Sequence, residues 1–206
     1  MDEEYRSLME NYAWDLVPLP KRRKLVRCKW IYITKYALDG IVEILKERLV
    51  AKGFSQVEGI VYNETFALVA KMNSICLVLS LVALHNWEFH QMDVKYIFLH
   101  GDLQEEIYME QPPEYVQDIS SLVCFPKQSL YGLKQAPRAW YAKMDSFLLD
   151  IGFSRFHSES NVYTNKVGNH LIILVLYVDD IILTGSDPKL ITHVNPVLRN
   201  FLKCQT

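Results

Sequence analysis

The chain is poor in residues that build structural metal sites or cross-links. Its four cysteines, Cys28, Cys76, Cys124 and Cys204, are scattered and match no zinc-ligand spacing. The six histidines form no cluster with them. This excludes a zinc-ribbon scaffold or a disulfide framework and fits a reduced, intracellular protein with unpaired thiols. No apolar run approaches the length of a membrane span. The start, MDEEYRS, is acidic and polar, unlike a secretory leader. Internal repeats and low-complexity tracts are also absent. What is present is a folding composition: 206 residues, 50% hydrophobic, with a formal net charge of −2. That suits one large domain, or two lobes sharing a core. The near-neutral total hides an asymmetry. Between Val17 and Lys35 every charged residue is basic: Lys21, Arg22, Arg23, Lys24, Arg27, Lys29 and Lys35. Such a run suits a polyanion, and equally a solvated loop after Pro18-Leu19-Pro20.

Periodicity gives an α+β chain. Leu8, Tyr12 and Leu16 at four-residue spacing predict a helix over 3–16, ended by Pro18 and Pro20. Trp30 to Thr34 reads as a strand. Asp39-Gly40 is a turn signal, and 41–50 returns as the hairpin partner. On that return Lys46 and Arg48 share a face. Asn73 or Ser74 is placed to cap a helix through Leu84, with Ile75, Val78, Leu79 and Val82 inward. Trp87 to Val94 reads as a strand ending near Asp93, and Glu106 to Gln111 as another, stopped by Pro112-Pro113. The stretch YGLKQAPRAW opens a helix with Pro137 in its first turn and Gly152 as its C-terminal cap. Val162 to Thr164 is a strand, and Gly168-Asn169 turns into the next. A last helix over 189–202 contains Pro196, which predicts a kink or an early end.

The sequence centres on Leu171 to Gly185, LIILVLYVDDIILTG. Two short, β-branched apolar runs flank Asp179 and Asp180, which predicts a hairpin with the acids at or near its bend. On the dipeptide alone, a plain polar turn explains them as well. Asp93 ends another strand. Adjacent strands would bring three carboxylates together, and such a trio repels itself unless metal sits among it. Hard oxygen ligands suit Mg²⁺, and two such ions serve phosphoryl transfer.

WDLVPLP, CKWIY, DG, ERLVAKGFSQVEGIVYNETF, QMDVKYIFLHGDLQEEIYMEQPP, SLYGLKQAPRAWY and LYVDDIILTG occur in this order over nearly the whole chain. The chain thereby resembles the reverse transcriptase domain of copia-type LTR retrotransposon Pol polyproteins. The resemblance implies a polymerase palm, an antiparallel sheet backed by helices, with a fingers subdomain and no thumb. Fingers would take about 1–85 and 118–145, and palm about 86–117 and 146–206. It implies RNA-directed DNA polymerase activity, a nucleotidyl transfer to a primer 3′-hydroxyl. Asp93, Asp179 and Asp180 would be catalytic. Asp93 and Asp179 would be the principal metal ligands, helped by the Val94 carbonyl, with Asp180 acting less directly on the metal or primer end. Two Mg²⁺ ions are implied, with Mn²⁺ as a substitute. Lys46 and Arg48 would neutralise the triphosphate, and Phe98 would screen the sugar 2′-hydroxyl. Lys134, Gln135 and Arg138 would line the nucleotide and template site, and Tyr177 would lie near the primer terminus. Implied partners are an RNA or DNA template with primer and deoxynucleoside triphosphates, with no membrane. Ribonuclease H and integrase portions would stand elsewhere in a full polyprotein. An active element would place the chain in a cytoplasmic virus-like particle.

Several positions depart from the family pattern. Tyr96-Ile97 stands for Asn-Ala, Glu47 for alanine between the two finger cations, Cys76 for arginine and Val61 for aspartate. Leu68 stands for proline and Glu114 for glycine, and Pro196 interrupts a helix. These departures define the competing expectation, a degenerate, inactive retroelement remnant that keeps at most nucleic-acid binding. A different two-metal palm enzyme is a third reading, opposed by the blocks around Asp93 and Tyr131 to Trp140.

Overall fold

The computed structural model describes residues 2–37, 39–56, 70–94, 98, 101–117 and 121–202. In chain order the elements are α1 (Asp2–Glu10), β1 (Trp14–Pro18), β2 (Leu25–Val26), β3 (Cys28–Tyr36), β4 (Val42–Ala51), a 3₁₀ turn (Gly53–Ser55), α2 (Met72–His85), β5 (Glu88–Asp93), β6 (Tyr108–Met109), β7 (Leu122–Pro126), α3 (Ala136–Asp150), β8 (Ser154–Phe156), β9 (Glu159–Val167), β10 (His170–Tyr177), β11 (Asp180–Gly185) and α4 (Pro188–Leu202). They form two compact units, 1–66 with 98–140, and 67–97 with 141–206. The mixed α+β class is as expected. Positions Val61, Leu68, Tyr96 and Ile97 lie outside the described residues.

The first unit holds a four-stranded sheet in the order β1-β7-β6-β2 and the separate hairpin β3-β4. The helix expected over 3–16 stops at Glu10. Tyr12 turns left-handed at φ 51°, and the amides of Tyr12 and Ala13 close back on the carbonyls of Met9 and Leu8. This is a Schellman-type stop without its usual glycine. Leu16 then enters β1 opposite Cys124, so strand pairing overrides the helical spacing. In the β3-β4 hairpin Ile41 donates to Asp39 Oδ1 at 3.0 Å, and Gly40 sits at φ 80°, the conformation the Asp-Gly signal requires. Among the described residues the cysteines are unpaired. Burial pushes the Cys28 thiol up to about 11, with the nearby Glu110 charge adding to the rise. Burial likewise pushes Cys124 up to about 12. Both are therefore protonated, inert packing thiols at neutral pH.

Among the described residues the second unit is one antiparallel sheet in the order β5-β11-β10-β9-β8, with β5 outermost. Alternation gives it two apolar faces. On one, Val162, Ile173, Val175 and Ile182 pack with Ile75 and Val78 of α2. On the other, Tyr163, Leu174, Leu183 and Ile181 are fully buried, and α3 and α4 lie over them. Each such aliphatic side chain contributes about 1.5–3 kcal/mol when fully buried, so the strands that carry the acids rest on the best-packed part of this unit. Helix α2 starts at Met72 without a side-chain cap, and Ser74 instead donates to Glu159 at 3.2 Å. Leu79, expected inside, is 41% exposed, because Ile75 and Val78 already define the inward stripe. Gly152 ends α3 at φ 90° as expected. Helix α4 runs through Pro196. Its buried stripe, Ile191, Leu198 and Leu202, spans the proline, and tertiary packing outweighs the lost backbone hydrogen bond. The expected strand over 106–111 shrinks to Tyr108–Met109.

One polar network ties α3 to the sheet. Asp145, nearly buried, accepts from both Nε and Nη2 of Arg155, and from the Tyr163 hydroxyl at 2.8 Å. The Arg155 hydrogen bonds hold the Asp145 carboxyl below its usual range, burial opposes them, and the Tyr163 hydroxyl adds to the lowering. A carboxylate with a depressed folded value stabilises the fold above its unfolded value and loses that contribution as pH falls through the folded one. Asp145→Asn is therefore expected to destabilise by about 1–3 kcal/mol at neutral pH. The gap from wild type should close below about pH 4, as read by urea unfolding across a pH series. A gap that persists unchanged in acid would refute this account.

Candidate active site

The acids stand where the sequence pattern put them, at a hairpin bend. Tyr177 pairs with Asp180, so Val178 and Asp179 form the two-residue turn between β10 and β11. Val178 takes φ 52°. Two-residue hairpin turns require a positive φ, normally met by glycine or asparagine. A β-branched residue there carries roughly 1–3 kcal/mol of strain, concentrated on the residue before Asp179. A second tie fixes the bend. The Val94 amide donates to the Asp179 carbonyl at 3.0 Å, binding the turn to the end of β5.

Register does the rest. β11 pairs with β5 so that Asp180 lies directly opposite Asp93. Opposed residues point to the same sheet face with β-carbons about 5 Å apart. Asp93 is exposed, whereas Asp179 and Asp180 are half-buried. Two rows back on the same face, Gln91 donates its side-chain amide to Asp180 Oδ1 at 3.0 Å. Tyr177 packs on the α2-facing apolar cluster.

Facing carboxylates repel, and an opposite charge between them relieves it. The preassembled three-carboxylate cradle expected from sequence is not found: among the described residues no group of three or more His, Cys, Asp or Glu is arranged to hold a metal. The reason is geometric, since Asp179 occupies the turn while Asp93 and Asp180 face each other across the strands. Carboxylates at the end of β5 and at the adjoining hairpin bend still suit Mg²⁺, which commonly binds one or two carboxylates together with substrate phosphates and water.

The remaining candidates belong to the first unit. Lys46 and Arg48 lie on one face of β4, opposite Ile33 and Ile31. Glu47 points to the other face by strand alternation, so it does not sit between the two cations as expected. The Arg48 guanidinium stacks 4.4 Å above the Tyr131 ring. Phe98 meets that ring edge-on at 4.8 Å. Lys134 is held through its backbone amide, which donates to Gln56 Oε1 at 2.9 Å, and its ammonium lies 3.4 Å from the Gln56 carbonyl. Gln135 is fully buried and accepts from Gln56 Nε2 at 3.1 Å. Arg138 pairs with Glu105 at 3.0 Å. Within the basic run, Arg23 pairs with Glu106, and Arg27 lies 3.6 Å from Glu110.

Three residues here escaped sequence reasoning. Gln91 had a legible signal, since it stands two residues before Asp93 on an alternating strand. Tyr131 was visible only as the start of a motif. Gln56 gave no local sign, because its partners are far along the chain.

Residues 11–205 match the family described as reverse transcriptase (RNA-dependent DNA polymerase), and the chain belongs to that family. It is thus a reverse transcriptase-type nucleotidyltransferase domain by family, of the copia type. It is 47% identical over 196 residues to a retrovirus-related Pol polyprotein from transposon TNT 1-94 of Nicotiana tabacum, covering 94% of this chain and 15% of that protein. It is 42% identical over 193 residues to the corresponding protein from transposon RE1 of Arabidopsis thaliana, covering 93% of this chain and 13% of the relative. A Gag-Pol polyprotein of transposon Ty1-DR5 from Saccharomyces cerevisiae is 31% identical over 193 residues, covering 90% of this chain and 10% of that protein. The chain therefore spans a small fraction of the length of these relatives. Among the described residues no helix is long and apolar enough to cross a membrane.

Proposed function

We propose that this chain carries the nucleotidyl-transfer centre of an RNA-directed DNA polymerase. The observation that carries the reading is the register of β5 against β11, which sets Asp180 opposite Asp93 while Val94 pins the Asp179 turn. The primer 3′-hydroxyl would attack the α-phosphate of a deoxynucleoside triphosphate, and pyrophosphate would leave. When bound, Mg²⁺ supplies charge for the attacking and leaving oxygens. Asp93 and Asp179, with the Val94 carbonyl, would hold it, and Mn²⁺ would substitute. Asp180, oriented by Gln91, would set the local field. Lys46 and Arg48 would take the triphosphate, Phe98 the sugar, and Lys134, Gln135 and Arg138 the surrounding loop. Gln135, being buried, would act by shaping that loop. The palm, about 86–117 and 146–206, would fall mostly in the second unit and the fingers, about 1–85 and 118–145, mostly in the first, while 67–85 and 98–117 cluster the other way. In a full Pol polyprotein, further domains and a particle-bound cytoplasmic setting would follow.

The test is incorporation of a first labelled deoxynucleotide on a primed RNA template. Short, Mg²⁺-dependent addition abolished by chelator is expected. Addition that survives chelation would overturn the reading.

Two observations favour a second reading, an inactive remnant. Glu114, where the family pattern has glycine, adopts φ 74°, a conformation that costs a side-chain-bearing residue about 1–2 kcal/mol. Asn161 is fully buried, and among the described residues neither side-chain amide atom has a hydrogen-bond partner, which is costly in a core. Salt-dependent duplex binding without incorporation would select this reading.

A further inference from the structure

We infer that Tyr131 is a positioning residue that sets Arg48 and Phe98 together for the incoming nucleotide. The inference rests on the proposed reading of those two residues as nucleotide contacts. Arg48 sits opposite Ile31 of β3, and its guanidinium lies 4.4 Å over the Tyr131 ring. A planar guanidinium stacked on an aromatic face keeps its donor fork in one plane, free to meet phosphate oxygens bidentately. Phe98 contacts the same ring at 4.8 Å with an interplanar angle of 80°. Edge-on aromatic pairs are favoured, and the contact fixes both rings. Moving the tyrosine therefore displaces the cation and the aromatic at once.

Tyr131 is itself well anchored. Its carbonyl accepts from the Ala51 amide at 2.7 Å, at the end of the strand that carries Arg48. The next residue, Gly132, lies so close to Ala51 that a β-carbon there would come within 2.1 Å of the Ala51 carbonyl oxygen. The ring is thus registered to β4 through the backbone. A guanidinium aimed by a fixed aromatic platform, beside Lys46 on the same strand face, is chemistry for a polyphosphate. The second contact places an aromatic edge against the same platform, suited to sensing the sugar.

The experiment titrates a fluorescent dATP analogue, with unlabelled dATP, dAMP and ATP as competitors. It uses the full chain with Mg²⁺ and a dideoxy-terminated primed RNA template, and compares wild type with Tyr131→Phe, Tyr131→Leu and Arg48→Ala. Tyr131→Phe should bind dATP within about twofold of wild type, since the face survives. Tyr131→Leu should weaken dATP binding by about tenfold, the scale of a lost cation–π contact. The same variant should leave dAMP nearly unchanged and narrow the preference for dATP over ATP. A purely structural role would instead weaken all three competitors alike, and that result overturns the inference. So does unchanged binding in Tyr131→Leu when Arg48→Ala weakens dATP. If Arg48→Ala itself leaves dATP binding intact, the nucleotide role of Arg48 is wrong and the inference falls with it. Should Tyr131→Leu fail to fold, loss of dATP selectivity in Tyr131→Phe would also refute the inference, because that variant keeps the platform.

Discussion

Asp179→Asn is expected to lower Mg²⁺-dependent incorporation by at least about hundredfold, the scale seen when one preorganised electrostatic group is removed from a transfer site. The substitution is nearly isosteric. The interaction that fixes the turn is made by the Asp179 carbonyl with the Val94 amide, and asparagine keeps that carbonyl. Asparagine also tolerates tight turns well, so the bend should survive and only the charge is lost. Thermal unfolding should therefore match wild type while single-turnover incorporation collapses. Asp93→Asn should behave alike, because it removes the other carboxylate proposed to hold the metal. Retention of wild-type rates by either variant would break the link between this hairpin and the chemistry. A loss of folding with the loss of rate would show instead that the acids serve the turn.

The second large effect is structural. Gly132→Ala is expected to destabilise the first unit by about 3 kcal/mol or more. A left-handed alanine alone costs about 1–2 kcal/mol, and Gly132 sits at φ +86°. The added methyl would also lie 2.1 Å from the Ala51 carbonyl oxygen and 2.6 Å from Val50 Cγ1. The first is backbone and cannot swing away. Gly53 meets the same junction from the other side, where a β-carbon would fall 1.9 Å from the Gly132 carbonyl oxygen. Gly40→Ala is the control, since Gly40 also has positive φ, at +80°, but open space around it. It should cost no more than the conformational part. Urea unfolding and limited proteolysis would separate them. Equal losses for Gly132→Ala and Gly40→Ala would rule out the close approach as the cause.

The second unit was largely readable because its signals are local. β-branched runs around Asp179 and Asp180 define a hairpin, and the cap at Gly152 follows from its own chemistry. Register across β5 and β11 was the non-local step, yet alternation from Asp93 brings Gln91 along. In the first unit the sequence was less informative. Tyr12 stops a helix without a stop residue, and β7 takes one of its two partners, β1, from the far end of the chain. The Gln56 contacts with Lys134 and Gln135 join segments far apart in sequence. Pro196 misled for the opposite reason, since the local penalty is real and the buried stripe of α4 exceeds it. Among the described residues the three carboxylates form no ready-made metal-holding group, since Asp179 sits in the turn while Asp93 and Asp180 face each other across the strands.

The outer position of β5 bears on how the protein behaves at high concentration. A border strand offers unsatisfied amides and carbonyls along one side, an invitation to sheet extension by a second molecule. This border begins with Glu88 and ends with Asp93. Like charges at both ends oppose an antiparallel copy of the same segment, which would set Glu88 against Asp93. The residue proposed to anchor metal would then also oppose self-association, and neutralising it should make stocks more prone to precipitate.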